Sequence, residues 1–244
     1  MSRLVILFAR APWREARAKG FSSGQAADLF AAFATGWGEA ARRAGARLAI
    51  ATPPEDLAAW RRHPGIDSGG AAPIFIAQRG RRFGDRLEDA ARRAGAGFDN
   101  AVLVGGDVAP SDALLNEAFE ALERGTEAVI APAGDGGVSL LALGEPDLWL
   151  LSAIASRRRD VCARLLAALA ARGRRVHLLD AARDVDGPRD LRLLARHGLL
   201  DPSMTALARR ALDRAVLSLS PVEPASPHPH CLVGPPLRAP PRAA

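Results

Sequence analysis

Short apolar runs alternate with longer amphipathic segments along the first 130 residues. The runs are rich in Val, Ile, Leu and Ala and are bounded by turn-forming or polar residues, which is typical of buried strands. These predicted strands cover 4–8, 47–52, 73–77, 101–104 and 128–131. Helical periodicity marks the segments between them, which are 24–44, 54–62, 83–94 and 111–124. This alternation predicts an α/β fold with a mainly parallel sheet covered by helices on both faces.

The pattern changes after residue 132. A strand over 138–143 is entered through a Gly-rich turn, and the sequence then predicts helices over 159–171, 188–197 and 202–217 and a strand over 174–179. Residues 218–244 are rich in Pro, Ser and His, so we expect a folded domain over 1–217 followed by a disordered tail. Ser22 or Ser23 is expected to cap the first long helix and Ser111 the fourth segment, with Gly45, Gly95 and Gly125 at helix ends.

Charge and composition exclude several classes of protein. The net charge is +6, and 33 basic residues, of which Lys19 is the only lysine, are interleaved with 27 acidic ones. Because no dense basic segment with aromatic residues stands out, we expect no nucleic-acid interface. Neither a secretory leader nor an unbroken apolar span is visible, since Glu145 and Asp147 interrupt the run 140–151. We therefore expect a cytoplasmic protein with no membrane span.

The cysteines give no sign of a structural zinc site. Cys162 and Cys231 lie far apart, and neither belongs to a Cys-x-x-Cys pair. His228, His230 and Cys231 are close together in the Pro-rich tail. We interpret this group as incidental and assign it no function.

Acidic residues follow three of the predicted strands. Gly105 and Gly106 precede Asp107, Asp135 starts an Asp-Gly-Gly turn, and Asp184 and Asp186 form an Asp-x-Asp pair before Pro188. Each could be an ordinary turn or helix cap. Ligands of parallel sheets bind beyond the carboxyl ends of the strands, so three such loops in order indicate a cation site. The two glycines are expected to let a ligand approach the backbone.

A fourth segment joins the strand over 73–77 to a helix and is dense in arginine. It contains Gln78, Gly80, Gly84, Arg86 and Leu87. An arginine can bind two phosphate oxygens at once, in a bidentate contact, which makes this connection a candidate phosphate site. A solvated arginine cluster is the alternative in a chain so rich in arginine.

These segments together resemble a family of small bacterial GT-A-like transferases, described as selenodomain-associated transferase type 1. That family is related to the nucleotide-diphospho-sugar transferases, which include glycosyltransferases and small nucleotidyltransferases such as the molybdenum-cofactor and phospholactate guanylyltransferases. The motifs that carry the resemblance lie in order between residues 3 and 197. They are Phe8-Ala9-Arg10-Ala11-Pro12, the Gln78–Leu87 segment, Gly105-Gly106-Asp107, Asp135-Gly136-Gly137, and Asp184, Asp186, Pro188, Asp190 and Leu191.

The resemblance implies a GT-A or Rossmann-like three-layer α/β/α sandwich that binds a nucleotide or nucleotide-sugar donor. It implies a divalent cation, Mg²⁺ or Mn²⁺, on Asp107, Asp135 and Asp186. The residues that it implies at the nucleotide and its phosphates are Ala9, Arg10, Pro12, Lys19, Gln78, Gly84, Arg86, Gly105 and Gly106. It names neither the acceptor nor the oligomeric state.

The chain departs from the family pattern at several of these positions. The family's Lys-Thr-Arg-Leu stretch is replaced by 13–21, in which Lys19 stands in for the lysine, and the aromatic pair after Asp-Gly-Gly is Val138-Ser139. Three readings therefore stay open: a metal-dependent glycosyltransferase, a small-molecule nucleotidyltransferase, or a catalytically impaired descendant that binds a nucleotide or a partner. Trp13 is expected near a nucleotide base, where it could stack.

Overall fold

The computed structural model describes residues 1–21, 24–63, 65–66, 71–154 and 160–217. The predicted capping serines 22 and 23, the tail 218–244 and its His/Cys group lie outside these residues. Within them the sheet has seven strands: β1 (Arg3–Phe8), β2 (Ala46–Thr52), β3 (Ile74–Ala77), β4 (Asn100–Gly105), β5 (Ala128–Pro132), β6 (Val138–Leu143) and β7 (Val176–Leu178). The helices are α1 (Pro12–Ala18), α2 (Gly24–Arg43), α3 (Leu57–Arg61), α4 (Phe83–Gly95), α5 (Asp112–Glu123), α6 (Trp149–Ile154), α7 (Val161–Ala171), α8 (Pro188–Arg196) and α9 (Pro202–Leu217).

The strand order is β3-β2-β1-β4-β6-β5-β7, and all neighbours are parallel except at β6. β6 runs antiparallel between β4 and β5, because β5 and β6 form a hairpin through the Asp-Gly-Gly turn. β5 therefore has the same direction as β4, and the carboxyl ends of six strands meet at one edge. The predicted mainly parallel sheet is confirmed.

Alternate residues of β1 pack on opposite faces of the sheet. Val5 and Leu7 belong to the core cluster beneath α2 and α5, whereas Leu4 and Ile6 pack against α4. This period of two is what a strand buried on both faces requires. The molecule therefore has the predicted three layers, helix on sheet on helix.

Two short helices lie in segments for which the sequence analysis gave no helix. α1 begins at Pro12, whose ring suits the first helical position, and it ends after only seven residues. α6 follows a 3₁₀ turn over Glu145–Asp147. A helix of two turns has too little amphipathic pattern to stand out in a sequence. The predicted cap at Ser111 is confirmed, since its side chain accepts a hydrogen bond from the amide of Leu114.

Candidate functional site

The loops at the carboxyl edge of the sheet are joined by backbone hydrogen bonds. Val108 forms an isolated antiparallel bridge with Asp184, and the amide of Val185 donates to the carbonyl of Asp107 at 2.9 Å. The segment over 184–186 is extended, so Val185 points inward and is fully buried, while the two aspartates flank it on the other side. The fold thus brings the loop after β4 against the loop after β7.

Three carboxylates converge where these loops meet. Oxygens of Asp107, Asp184 and Asp186 all lie within 4.8 Å of one another, a separation that one metal ion can span. No other group of three or more His, Cys, Asp or Glu with this spacing occurs in the described part of the chain. We call Asp107, Asp184 and Asp186 the acidic triad. Carboxylate oxygens are the ligands that Mg²⁺ and Mn²⁺ prefer.

The triad differs from the predicted ligand set at one position. Asp107 and Asp186 belong to it, but Asp135 does not: its carboxylate accepts a hydrogen bond from the amide of Gly137 at 2.8 Å, within the β5–β6 turn. Asp184 takes the third place. The Asp-x-Asp spacing already held this signal, because alternate residues of an extended segment share a side.

Lys19 lies directly on the triad. Its ammonium nitrogen is 2.5 Å from Asp107 Oδ2 and 2.5 Å from Asp186 Oδ1, and its side chain is only 14% exposed. Burial opposes the charged amine, but the attraction of Asp107 and Asp186 outweighs it and raises the pKa of Lys19 above its usual value. The lysine therefore remains a cation at physiological pH.

The surroundings of Asp184 disfavour its charged form. Burial and, next, the repulsion of Asp107 and Asp186 raise its pKa to about 6. One further positive charge within the triad would relieve this repulsion.

Arg10 is held by a buried glutamate on α1. Its guanidinium donates to both carboxylate oxygens of Glu15, at 3.1 and 3.2 Å. Glu15 is 6% exposed, and burial followed by repulsion from Asp107 raises its pKa. Glu15 lies within α1 and Lys19 caps the end of this helix four residues later, so both face the triad from the same side. Sequence reasoning missed Glu15 because α1 was not predicted.

The first loop is fixed by a buried carboxylate from the turn after β2. Asp56, 1% exposed, accepts hydrogen bonds from the amide of Ala11 at 2.9 Å and from Arg14 at 3.1 Å. Ala9 and Pro12 are buried on either side of that amide. The amide of Ala9 donates to the carbonyl of Ala51 at 3.0 Å, so the backbone is hydrogen-bonded on both sides of Arg10.

The two glycines before Asp107 make room for protein atoms. A Cβ on Gly106 would lie 2.4 Å from the Cβ of Ala9, and one on Gly105 would lie 2.5 Å from Asp107 Oδ1. At Gly106 the loops after β1 and β4 pack too closely for a side chain, and at Gly105 the space is taken by the side chain of Asp107. The sequence-based expectation that a ligand approaches the backbone at these glycines stays a prediction.

The Gln78–Leu87 segment lies at the same edge, after β3. The Gln78 amide nitrogen donates to the carbonyl of Ala51 at 2.9 Å, so this buried side chain fixes the loop. Gly84 is buried in the first turn of α4, and Arg86 is half-buried two residues further on, its Nη1 donating weakly to the carbonyl of Arg81. Phe83 is exposed at the start of α4 and meets Phe8 edge to face at 5.6 Å.

Trp37 supports the triad from beneath. This fully buried residue of α2 donates from Nε1 to the carbonyl of Val108 at 2.9 Å. It therefore pins the residue that follows Asp107. Trp13, by contrast, is 54% exposed on α1, and its role at a base stays a prediction.

No helix among the described residues combines the length and the apolarity that crossing a bilayer would need.

Comparison with known proteins agrees with this architecture. The family model of DUF2064, described as an uncharacterized protein conserved in bacteria, matches residues 37–156. A comparison with curated proteins found no match. A protein of Desulfovibrio desulfuricans G20 described as a putative nucleotide-diphospho-sugar transferase is 27% identical, with a TM-score of 0.72 over 88% of this chain and 98% of that one.

Two more distant structures share the fold alone. The rv0371c homologue of Mycobacterium sp. strain JC1 is 14% identical, with a TM-score of 0.51 over 85% of this chain and 98% of that one. The inositol-1-phosphate CTP transferase of T. maritima is 12% identical, with a TM-score of 0.53 over 86% and 96%. The resemblance inferred from the motifs is confirmed in these terms: the chain is similar to the DUF2064 family over residues 37–156, and it has the fold of the Desulfovibrio protein described as a putative nucleotide-diphospho-sugar transferase.

Proposed function

We propose that this protein is a divalent-cation-dependent transferase that uses a nucleotide-activated donor, with glycosyl transfer as the favoured reaction. The observation that carries the proposal is the acidic triad at the carboxyl edge of the sheet. This edge is where ligands of open α/β sheets bind. The likeness to the Desulfovibrio protein, which extends over nearly its whole length, supports a nucleotide-type donor. We also propose the cytoplasmic location expected from the sequence.

The residues of the site fit a divalent cation. Asp107, Asp184 and Asp186 would hold it, and Mg²⁺ or Mn²⁺ suits an all-oxygen ligand set. The position already accommodates a positive charge, that of Lys19. When bound, the cation supplies charge neutralisation on the donor diphosphate as the bond to the leaving group breaks.

The chain's own basic groups would orient the donor. Arg10 is 40% exposed and is bound on one side by Glu15, which leaves guanidinium nitrogens for phosphate oxygens. Arg86 at the start of α4 and Lys19 are the other candidates. Ala9, Pro12, Gln78, Gly84, Gly105 and Gly106 would shape the walls of the donor site, since they fix the three loops that border it.

One observation favours the alternative of a nucleotide-binding protein with little or no transferase activity. Arg10 and Lys19 are both engaged with carboxylates, so the cations expected at the phosphates are already paired. Nucleotidyl transfer is the second enzymatic alternative, because it uses the same fold and the same kind of donor.

A binding screen tests the proposal before the acceptor is known. Thermal unfolding is recorded with nucleotides and nucleotide sugars, with and without Mn²⁺, for the wild type and Asp107→Asn. Asp112→Asn is the matched control, because Asp112 is an exposed carboxylate on α5 paired with Arg43. We expect stabilisation that requires both Mn²⁺ and Asp107. An absence of any nucleotide shift would overturn the proposal.

Product analysis then separates the enzymatic alternatives. Hydrolysis or transfer from a nucleotide sugar releases a nucleoside diphosphate, whereas nucleotidyl transfer from a nucleoside triphosphate releases pyrophosphate. ³¹P NMR distinguishes these phosphates directly. Mn²⁺-dependent binding with neither product, over a panel of acceptors, would leave the binding protein as the function.

A further inference from the structure

Lys19 is the only lysine in a chain whose other 32 basic residues are arginines. That single ammonium lies between two carboxylates of the acidic triad, 2.5 Å from an oxygen of each. A lysine ammonium is a compact charge with three rotatable donors on a flexible stem, whereas a guanidinium is a wide planar fork. The pocket between Asp107 and Asp186 therefore suits the residue type that the rest of the chain avoids.

Lys19 and a metal ion would compete for the same oxygens. A cation on the triad needs Asp107 Oδ2 or Asp186 Oδ1 or must share those carboxylates with the ammonium. Two cations within a few ångströms of each other repel strongly at a partly buried site, where water screens them weakly. The side chain can leave by rotation about its own bonds, because Lys19 lies just after the last residue of α1 and carries its ammonium on four methylenes.

We propose that Lys19 is an exchangeable internal cation of the triad: it balances the three carboxylates when no metal is bound, and a divalent cation binds by displacing it. This inference rests on the metal dependence of the proposed function. Lys19 thereby sets the metal affinity of the site. Once displaced, the ammonium is available to the donor phosphates, so metal binding and donor binding are coupled through one side chain.

The first test measures Mn²⁺ affinity by calorimetry, without any assay of activity. The variants are Lys19→Met, which removes the charge and keeps the length, and Lys19→Arg, which keeps the charge. We expect Lys19→Met to bind Mn²⁺ about tenfold more tightly than the wild type or better, because the competitor is gone. Lys19→Arg keeps a competing charge, although its wider guanidinium fits the pocket less well, so its Mn²⁺ affinity should lie closer to that of the wild type than to that of Lys19→Met.

The alternative is co-binding, in which the metal uses the second oxygen of each carboxylate while Lys19 stays. It predicts that Lys19→Met binds Mn²⁺ no more tightly than the wild type, and that result would overturn the inference. Asp107→Asn separates the two proposals. If the wild type binds Mn²⁺ through Asp107 but Lys19→Met gains nothing, the proposed function stands and the exchange fails. If no variant binds Mn²⁺, the metal dependence itself is wrong.

The second test follows the lysine directly and works on the wild-type protein. An amine-acylating reagent has only two targets, the Lys19 side chain and the N-terminal amine, and the latter serves as an internal reference. We expect saturating Mn²⁺ to increase the acylation rate of Lys19 relative to that reference by about tenfold or more, because displacement exposes a side chain that is now 14% exposed. An unchanged or slower relative rate would show that the lysine stays on the triad.

Discussion

Asp184 has the least favourable surroundings of the three carboxylates in the triad. Its pKa of about 6 means that folding raises the free energy of its charged form, through burial and then through Asp107 and Asp186. Lys19 contacts the other two carboxylates, not this one. Of the three carboxylates, Asp184 is therefore the one that an added cation would stabilise most. Without a cation, its negative charge lowers the free energy of unfolding.

The sign of this effect predicts how stability changes with pH. A raised acid pKa leaves the fold unaffected below the unfolded value near 4, destabilises it increasingly as pH rises from about 4 to about 6, and has its full effect above that pH. In EDTA at pH 7.5 we expect Asp184→Asn to raise the free energy of unfolding by about 1–3 kcal/mol, and at pH 4 to change it little. Urea unfolding at both pH values measures this, with the exposed Asp180→Asn as control. An equal effect at both pH values would contradict the assignment.

Gly106 shows how closely two loops pack beside the triad. An added Cβ would lie 2.4 Å from Ala9 Cβ, whereas one on Gly134, in the neighbouring turn, would meet nothing within 4 Å. We therefore expect Gly106→Ala to destabilise the protein by about 1–3 kcal/mol and Gly134→Ala to change stability by less than about 0.5 kcal/mol. Chemical denaturation measures both. Equal losses would mean that glycine flexibility, not the contact with Ala9, matters here.

At the scale of elements, α2 connects the core to the site. Its residue Trp37 donates to the carbonyl of Val108, and Trp60 of α3 makes a comparable buried bond to Thr52 Oγ1 at 3.0 Å. Both indoles are fully buried. They differ in what they hold: only the first lies under the loop that carries Asp107.

The two tryptophans therefore form a matched pair of probes. Replacement by Phe removes one buried hydrogen bond in each case and should cost about 1–3 kcal/mol. We expect only Trp37→Phe to weaken Mn²⁺ binding as well, because Val108 is then free to shift and Asp107 with it. Chemical denaturation measures the free energy of unfolding, and calorimetry measures the Mn²⁺ affinity. Unchanged Mn²⁺ affinity in Trp37→Phe would refute the supporting role of α2.

Strands and long helices were predictable because burial imposes their periodicity. The β1 alternation and the helix over 24–44 are examples. α1 was not predictable in the same way, since it has seven residues and its direction is set by Pro12 and by Asp56 from another segment. The strand over 138–143 and the turn before it were predicted, but the place of β6 between β4 and β5 depends on pairing across the sheet.

The sequence predicted which loops form the candidate site. It did not predict which side chains contact one another there. Asp107 and Asp186 were identified, because their loops follow strands of one direction. Whether Asp135 or Asp184 completes the group depends on two contacts: the amide of Gly137 donates to the carboxylate of Asp135 within its own turn, and Val108 pairs with Asp184 across two loops. The Asp-x-Asp spacing indicated Asp184, but the pairing with Val108 is long-range and no local pattern encodes it. Lys19 was expected at phosphate, and its contacts with carboxylates required the three-dimensional structure.

At the scale of the whole molecule, the two edges of the sheet bear different charge arrangements. At the carboxyl edge, the three carboxylates of the acidic triad are matched by one lysine. Near the opposite edge Asp147, 2% exposed, is matched by two arginines, with Arg172 Nε at 2.6 Å and Arg174 Nε at 2.7 Å. The cluster around Asp147, in which arginines neutralise the carboxylate, stabilises the fold. The acidic triad keeps excess negative charge, which is available to a cationic ligand.

The domain prediction is testable at this scale. α9 packs against α2 and α8 through Met204, Ala208 and Ala211, which belong to one buried apolar cluster with Phe30 and Leu191. A chain ending at residue 217 should therefore unfold within about 2 °C of the full chain and bind Mn²⁺ equally well. Scanning calorimetry and titration measure both. A lower melting temperature would show that 218–244 contributes to the folded domain.

β6 pairs with β4 through only two residue pairs, Leu103 with Leu141 and Val104 with Leu140, whereas β1 and β4 share six. The junction between β4 and β6, which lies beside the triad, is therefore a weakly paired part of the sheet. Asp107 follows a strand on one side of it, and Asp184 and Asp186 follow a strand on the other. An ion bound by all three would link the two sides of this junction and oppose its local opening. Amide hydrogens of β4 and β6 should therefore exchange with solvent more slowly when Mn²⁺ is bound.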